Sequence, residues 1–357
     1  MLRFVFLFCC FVSLSWAEPC VEMFLYWMPH AEGQDVFPKA EGKGWDELGL
    51  FAKIRRVLDE KGIGLRSWEL EKHRSELLAW RGVHSLGDFW LWLWPKRVNL
   101  GEAKWVFWSF GPTTKDFDFS RVSKEKLVLL LFEPPTVEPR GYDPEVQEKF
   151  GKILTWDDDL VDGKKFVKYY YPELKPRIAE VVPFEEKKFC VMLATRRSSR
   201  HPKELYSERE RVIRFFENKP GELDLYGWFW EKRRFVNWKG RAPDKLQTVK
   251  QYKFSICYEN MGDVRGYVTE KIFDCFAAGN VPIYLGASNI EEYVPADCFI
   301  DRRKFSGEEE LYRYLKSMSR EEYEGYLERA AAFIKSEKAQ LFSSDNFVKI
   351  FTEAISF

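Results

Sequence analysis

The fold is decided by one run near the C-terminus: Phe254-Ser-Ile-Cys-Tyr-Glu-Asn260, then Gly266-Tyr-Val-Thr-Glu-Lys271, Ile272-Phe-Asp-Cys-Phe276, Gly279 and Val281-Pro-Ile-Tyr-Leu-Gly286. Its texture predicts a short buried strand, a glycine-bearing loop, a helix and a second buried strand. Ile272, Phe273 and Phe276 share one helical face, Thr269 stands where a cap belongs, and Gly279 stands where the helix should end. A strand–helix–strand of this length is a parallel βαβ unit. Its loop therefore lies at a strand's carboxyl end, beside a helix N-terminus, where open α/β sheets bind anionic nucleotides. Asn260, Tyr267, Glu270 and Lys271 are the polar groups there suited to such a ligand.

On spacing alone an ordinary βα turn explains the loop equally well. Gly262-Asp-Val-Arg-Gly266 is not a GxGxxG fingerprint, which disfavours a dinucleotide dehydrogenase. The whole run from Tyr252 to Asp301, however, resembles the donor-binding signature of glycosyltransferase family 10, the α-1,3/4-fucosyltransferases. The resemblance implies the GT-B architecture, two Rossmann-like α/β domains facing across a cleft. It also implies transfer of L-fucose from GDP-fucose to a glycan hydroxyl, O3 of N-acetylglucosamine being the expected acceptor, by an inverting single displacement. The rival readings are an inverting GT-B transferase with another nucleotide sugar and a carbohydrate-binding protein without turnover.

Glycosyl transfer needs a base for the acceptor hydroxyl and a cradle for the departing diphosphate. Glu133 is the candidate base. It follows the apolar strand Leu127-Val-Leu-Leu-Leu-Phe132 and precedes Pro134-Pro135, which stop the strand and hold Glu133 extended. On position alone a solvated glutamate is the ordinary reading, but Leu131-Phe-Glu-Pro-Pro135 is similar to the family segment that bears its general base. Arg209 is the candidate phosphate ligand. Within Tyr206–Phe216 it falls in the apolar stripe of Val212, Ile213, Phe215 and Phe216, whereas Arg214 points to the opposite side. A buried guanidinium needs an anionic partner, and a diphosphate supplies one in fork geometry. The family places an arginine at this helix start against the donor phosphates; Arg211 is the alternative match. By the same resemblance Tyr267, Glu270 and Lys271 contact the nucleotide sugar, and Asn260 orients the loop or the donor.

Outward from the signature, strands alternate with helices, as in a parallel sheet. Strands are predicted at 21–28, 63–68, 89–94, 105–110, 127–132, 189–194 and 223–226, with helices at 204–218, 245–252 and from about 308 onward. The proline-punctuated stretch 164–183 reads as the interdomain connection. The expected organisation is thus a leader at 1–17, an acceptor-side domain at 18–182, a donor domain at 183–335 and a closing helical segment at 336–357.

Equal numbers of basic and acidic residues, 56 each, argue against a general nucleic-acid binder. Arg3, the apolar run Phe4–Val12 and Ser15-Trp-Ala17 read as a secretory signal peptide or a short membrane anchor, implying a secretory or envelope location. Cys20, Cys190, Cys257, Cys275 and Cys298 lack the spacing of a zinc site or a disulfide framework, and Cys190, Cys257 and Cys275, set in apolar strands or helix faces, read as buried thiols. Asp157-Asp158-Asp159 has the D-x-D spacing that holds a metal in GT-A enzymes, but reads here as a solvated acidic turn. No cofactor is expected to be required, with manganese or magnesium stimulating at most modestly.

Overall fold

In a computed structural model of the chain, the described residues are 20–25, 49–67, 103–110, 114, 117–178 and 182–356. The leader and the strand predicted at 89–94 lie outside them. Two parallel sheets organise the described residues. The first has the order β2-β1-β3-β4-β5-β6, from β1 (Cys20–Leu25), β2 (Gly64–Ser67), β3 (Lys104–Trp108), β4 (Leu127–Leu131), β5 (Lys152–Thr155) and β6 (Phe166–Lys168). The second has the order β11-β10-β9-β7-β8, from β7 (Lys188–Leu193), β8 (Leu223–Tyr226), β9 (Tyr252–Tyr258), β10 (Val281–Leu285) and β11 (Ile300–Asp301). Leu127-Val-Leu-Leu-Leu131 is buried at all five positions, the continuous apolar run that a strand covered on both faces requires.

In α1 (Leu50–Glu60) the buried face carries Leu50, Phe51, Ile54 and Leu58. In α2 (Tyr206–Glu217) Arg209 is buried with Val212, Ile213 and Phe216. A shorter helix, α3 (Lys245–Val249), ends before the predicted boundary because Tyr252 already begins β9. The signature helix α4 (Glu270–Ala278) ends on Gly279, whose φ of 65° is the left-handed conformation that glycine adopts without steric penalty.

Three features of the fold depart from the sequence reading. The stretch 164–183 is not only a connection, because Phe166–Lys168 adds an edge strand to the first sheet. The closing segment returns to the first domain. Phe347, Val348, Phe351 and Ala354 of α5 (Ser344–Ala354) join the core of α1 and the first sheet, and Lys53 reaches Ser344 Oγ and Asp345 at 2.7 Å each. Each such fully buried aromatic contributes roughly 1.5–3 kcal/mol, so the chain's end staples the first domain rather than trailing from the second.

The third departure is the acidic turn. Asp158 is a clasp between the domains, with its carboxylate accepting from Lys168 Nζ at 2.6 Å, Tyr293 Oη at 2.7 Å and Asn289 Nδ2 at 2.9 Å. Gly266 lies against this clasp with φ 82°; a Cβ there would stand 2.3 Å from the Trp156 carbonyl oxygen. Only glycine allows the two domains to approach so closely. Burial works against the Asp158 charge, but Lys168, Tyr293 and Asn289 outweigh it and hold its pKa below the ordinary aspartate value. Because the folded-state pKa is depressed, this stabilisation is present above the unfolded value and is lost as the pH falls through the folded one. Asp158→Ala should therefore cost about 1–3 kcal/mol near neutrality, whereas Asp159→Ala, 68% exposed, should stay within ~0.5 kcal/mol. Thermal unfolding checks both, and the gap between wild type and Asp158→Ala should close below the ordinary aspartate range.

Candidate active site at the domain cleft

The carboxyl ends of β7, β8 and β9 and the N-terminus of α4 form one wall of a cleft of about 430 Å³. The second sheet reverses its order between β7 and β9, so the cleft opens at a topological switch point, where such sheets bind ligands. Arg209, Asn260, Glu270 and Lys271 line this wall, and Glu133 of the first domain lines the same cleft. Five of the six residues singled out in the sequence thus converge, from segments more than a hundred residues apart.

Glu133 is held by its backbone. Beyond β4 the carbonyls of Leu131, Phe132 and Glu133 accept hydrogen bonds from Tyr169 Oη (3.1 Å), Tyr171 Oη and Tyr142 Oη (2.9 Å). These phenols fix the strand exit and leave the Glu133 side chain half-buried in the cleft. Burial, and then the nearby Glu270 charge, raise its pKa above the ordinary glutamate value, while Lys271 and Arg197 oppose the rise. A carboxylate so tuned is a better proton acceptor than a solvated one.

Arg209 reaches inward as its helical phase requires. Nε and Nη2 donate to the Tyr258 carbonyl at 3.2 and 2.6 Å, and Nη2 donates to Asn260 Oδ1 at 3.0 Å. Burial lowers its pKa, although guanidinium remains charged at any relevant pH. Its hydrogen-bond partners are neutral groups, so its charge is available to an anion in the cleft. Arg214 instead pairs with Glu217 at 2.9 Å, and Arg211 pairs with Glu208 and Glu308, both away from the cleft lining.

The α4 end of the wall turns on Glu259, which is fully buried. It accepts from Thr269 N at 2.9 Å, Thr269 Oγ1 at 2.7 Å and Lys271 Nζ at 2.9 Å. Thr269 therefore does not cap α4 through its side chain as expected. Burial works against the Lys271 charge, but Glu259 and then Glu270 raise its pKa. The anion expected in front of Lys271 is thus in part supplied by the protein. Burial likewise disfavours the Glu270 charge, and Lys271 and Lys245 overcome it, holding the carboxylate ionised.

Tyr267 is not on the cleft wall. It is buried in the seam between the domains, its ring 4.5 Å from Trp156 and 6.0 Å from Tyr171. There it packs the donor loop onto the segment that holds Glu133. Arg197, in a basic cluster that the sequence offers to an anionic ligand, also lines the cleft; Arg241 and Lys245 line it and were missed, as was Trp228, over which the Arg241 guanidinium stacks. Five cationic side chains against two carboxylates make the lining suited to a polyanion. Gly227 allows the backbone to reach the cleft, because its φ is 141° and a Cβ would stand 1.8 Å from the Ala194 carbonyl oxygen. Among the described residues, no cluster of His, Cys, Asp or Glu has the arrangement of a metal site.

The fold is that of the GT-B glycosyltransferases. The solved structure of an alpha1,3-fucosyltransferase with GDP superposes at a TM-score of 0.52 with 13% identity, covering 96% of this chain and 92% of that one. Residues 185–347 match the model of glycosyltransferase family 10 (fucosyltransferase) C-terminal domains. The mouse 4-galactosyl-N-acetylglucosaminide 3-alpha-L-fucosyltransferase 9 is 30% identical over 200 residues, 55% of this chain and 50% of the relative. An alpha-(1,4)-fucosyltransferase of Arabidopsis thaliana is 44% identical over 70 residues, 20% of this chain and 17% of the relative. The chain therefore spans about half the length of the mouse relative it matches.

The opposed faces of α2 make a direct comparison possible. Arg209→Ala should weaken GDP binding by about 10–100-fold, the scale for losing a charge-assisted hydrogen bond, while Arg214→Ala and Arg211→Ala should leave it near wild type. Calorimetric titration with GDP reads the difference.

Proposed function

We propose that this chain is a fucosyltransferase that moves L-fucose from GDP-fucose to a hydroxyl of a glycan acceptor, with O3 of N-acetylglucosamine the leading candidate. The observation that carries the reading is the convergence of Glu133 from one domain with Arg209, Asn260, Glu270 and Lys271 from the other. Glu133 removes the acceptor proton as its oxygen attacks the anomeric carbon, and the bond to the diphosphate breaks on the opposite face, giving inversion. Arg209 takes up charge on the leaving GDP, supported by Lys271, Lys245 and the amides opening α4. Glu270, kept ionised, is placed to accept from sugar hydroxyls. Tyr267 serves from the seam by fixing the donor loop. The apolar leader belongs to the same reading, delivering the enzyme to a secretory or envelope compartment. No helix among the described residues is long and apolar enough to cross a membrane.

Glu133→Gln tests the base. Turnover should fall ~100-fold or more, with GDP-fucose binding retained. Glu133 must be deprotonated to act, so the wild-type rate should fall on acidification through a pKa above the ordinary glutamate value. The variant's residual rate should lack that limb. A fully active variant would remove Glu133 from the mechanism.

The cleft's own cations also support a proposal about metals. Because charge on the departing diphosphate meets five cationic side chains, turnover should survive EDTA, and manganese or magnesium should stimulate at most modestly. Complete loss in EDTA that returned with added metal would contradict it.

A further inference from the structure

Among the described residues, the large hydrophobic side chains that stand exposed are Trp228, Phe229 and Val236, at 47%, 74% and 56% of full exposure. All three lie on the loop between β8 and α3. Between residues 228 and 241 the same loop carries Lys232, Arg233, Arg234, Lys239 and Arg241 against one carboxylate, Glu231, in a chain of zero net charge. Scattered exposed apolar residues are ordinary on a protein surface; their concentration on one basic loop is not.

The loop is built to hold this display. Gly227 N donates to the Gly240 carbonyl at 2.9 Å, Lys239 N to Leu225 at 2.8 Å, and Trp238 Nε1 to Gly227 at 3.1 Å. Trp230 and Phe235 turn inward and pack edge to face at 4.7 Å, anchoring the loop in the core of the second domain. Lys232 Nζ closes the tip onto the carbonyls of Val236 and Trp238. On this anchored frame Phe229 takes a φ of 65°, a left-handed conformation that bulky residues avoid, and leaves its ring in solvent. Arg233 is exposed and makes no ion pair or hydrogen bond among the described residues.

We propose that this loop is a docking surface for an anionic lipid bilayer, with Phe229 and Val236 entering the headgroup boundary and Arg233 and its basic neighbours meeting the phosphates. Aromatic residues interleaved with basic ones are the composition of segments that rest on membranes. Val236 favours lipid over a nucleic acid, since an aliphatic side chain offers no ring face for a base to stack on. Trp228 belongs to both the loop and the cleft wall. Docking through this loop would therefore bring the cleft mouth to the surface, within reach of acceptors carried there. The inference does not depend on the identity of the donor.

The test is co-sedimentation of the whole chain with vesicles of phosphatidylcholine alone and of equal parts phosphatidylcholine and phosphatidylglycerol. Wild type should partition onto the anionic vesicles in preference to the neutral ones and be released by salt. Arg233→Glu should lower that partition by about fivefold or more, the scale for one cation at an anionic surface. The double variant Phe229→Ser, Val236→Ser should lower it further. Neither variant touches the cleft lining, so unchanged turnover of a soluble acceptor and unchanged melting temperature show that each still folds. Equal partition of wild type and both variants would overturn the proposal, because the contact would then lie elsewhere in the chain. So would binding of wild type to an oligonucleotide duplex but not to anionic vesicles, which would reassign the loop to nucleic acid.

Discussion

One buried carboxylate holds the donor side of this molecule together. Glu259 sits at zero exposure behind the cleft and receives the Thr269 amide, the Thr269 hydroxyl and the Lys271 ammonium. A carboxyl group so deep in a fold is tolerated only when its oxygens are satisfied. Satisfying them fixes the first turn of α4, and with it Glu270 and Lys271. Its neighbour Asn260 continues the same chain into the Arg209 guanidinium. The order of the donor wall therefore radiates from a residue that itself never reaches the ligand.

The opposite wall is ordered by different means. Glu133 leaves a fully buried strand at the point where sheet pairing stops. Three tyrosines donate to the carbonyls of Leu131, Phe132 and Glu133, so the carboxylate projects from a fixed backbone. Two of those tyrosines, Tyr169 and Tyr171, come from the stretch that also joins the domains. Tyr171 in turn packs against Tyr267 of the donor loop. Glu133 and the loop that carries Tyr267 are thus positioned against each other through a shared aromatic seam, and Asp158 and Gly266 set how closely the domains approach along it.

Much of this was legible in the sequence, and the limits of legibility have physical causes. The βαβ unit, the two α/β domains and the inward phase of Arg209 follow from local periodicity, which a helix or strand must obey wherever it sits; the GT-B arrangement of those domains was implied by the family resemblance instead. The strand exit at Glu133 was legible because Pro134 and Pro135 mark it, whereas Glu133 was singled out as a candidate base through the family resemblance. Asp158 was not, since its partners Lys168, Asn289 and Tyr293 lie 10, 131 and 135 residues away and its own surroundings read as a surface turn. Tyr267 was assigned to the cleft because periodicity does not tell which way a loop side chain turns. Glu259 was passed over for the same reason: beside Asn260, nothing local distinguishes a residue facing the ligand from one buried behind it. Arg241 and Trp228 reach the cleft through the path of a long loop, which carries no period to read, and Lys245 reaches it from the first position of the short helix that this loop leads into.

The central claim is that the two walls together transfer fucose from a guanosine diphosphate sugar. Release of nucleoside diphosphate across a panel of sugar nucleotides, with an N-acetylglucosamine-terminated glycan as acceptor, tests it most directly. The account predicts turnover with GDP-fucose, competitive inhibition by GDP, and little or no turnover with uridine diphosphate sugars. Turnover with a uridine diphosphate sugar that GDP does not inhibit would contradict it.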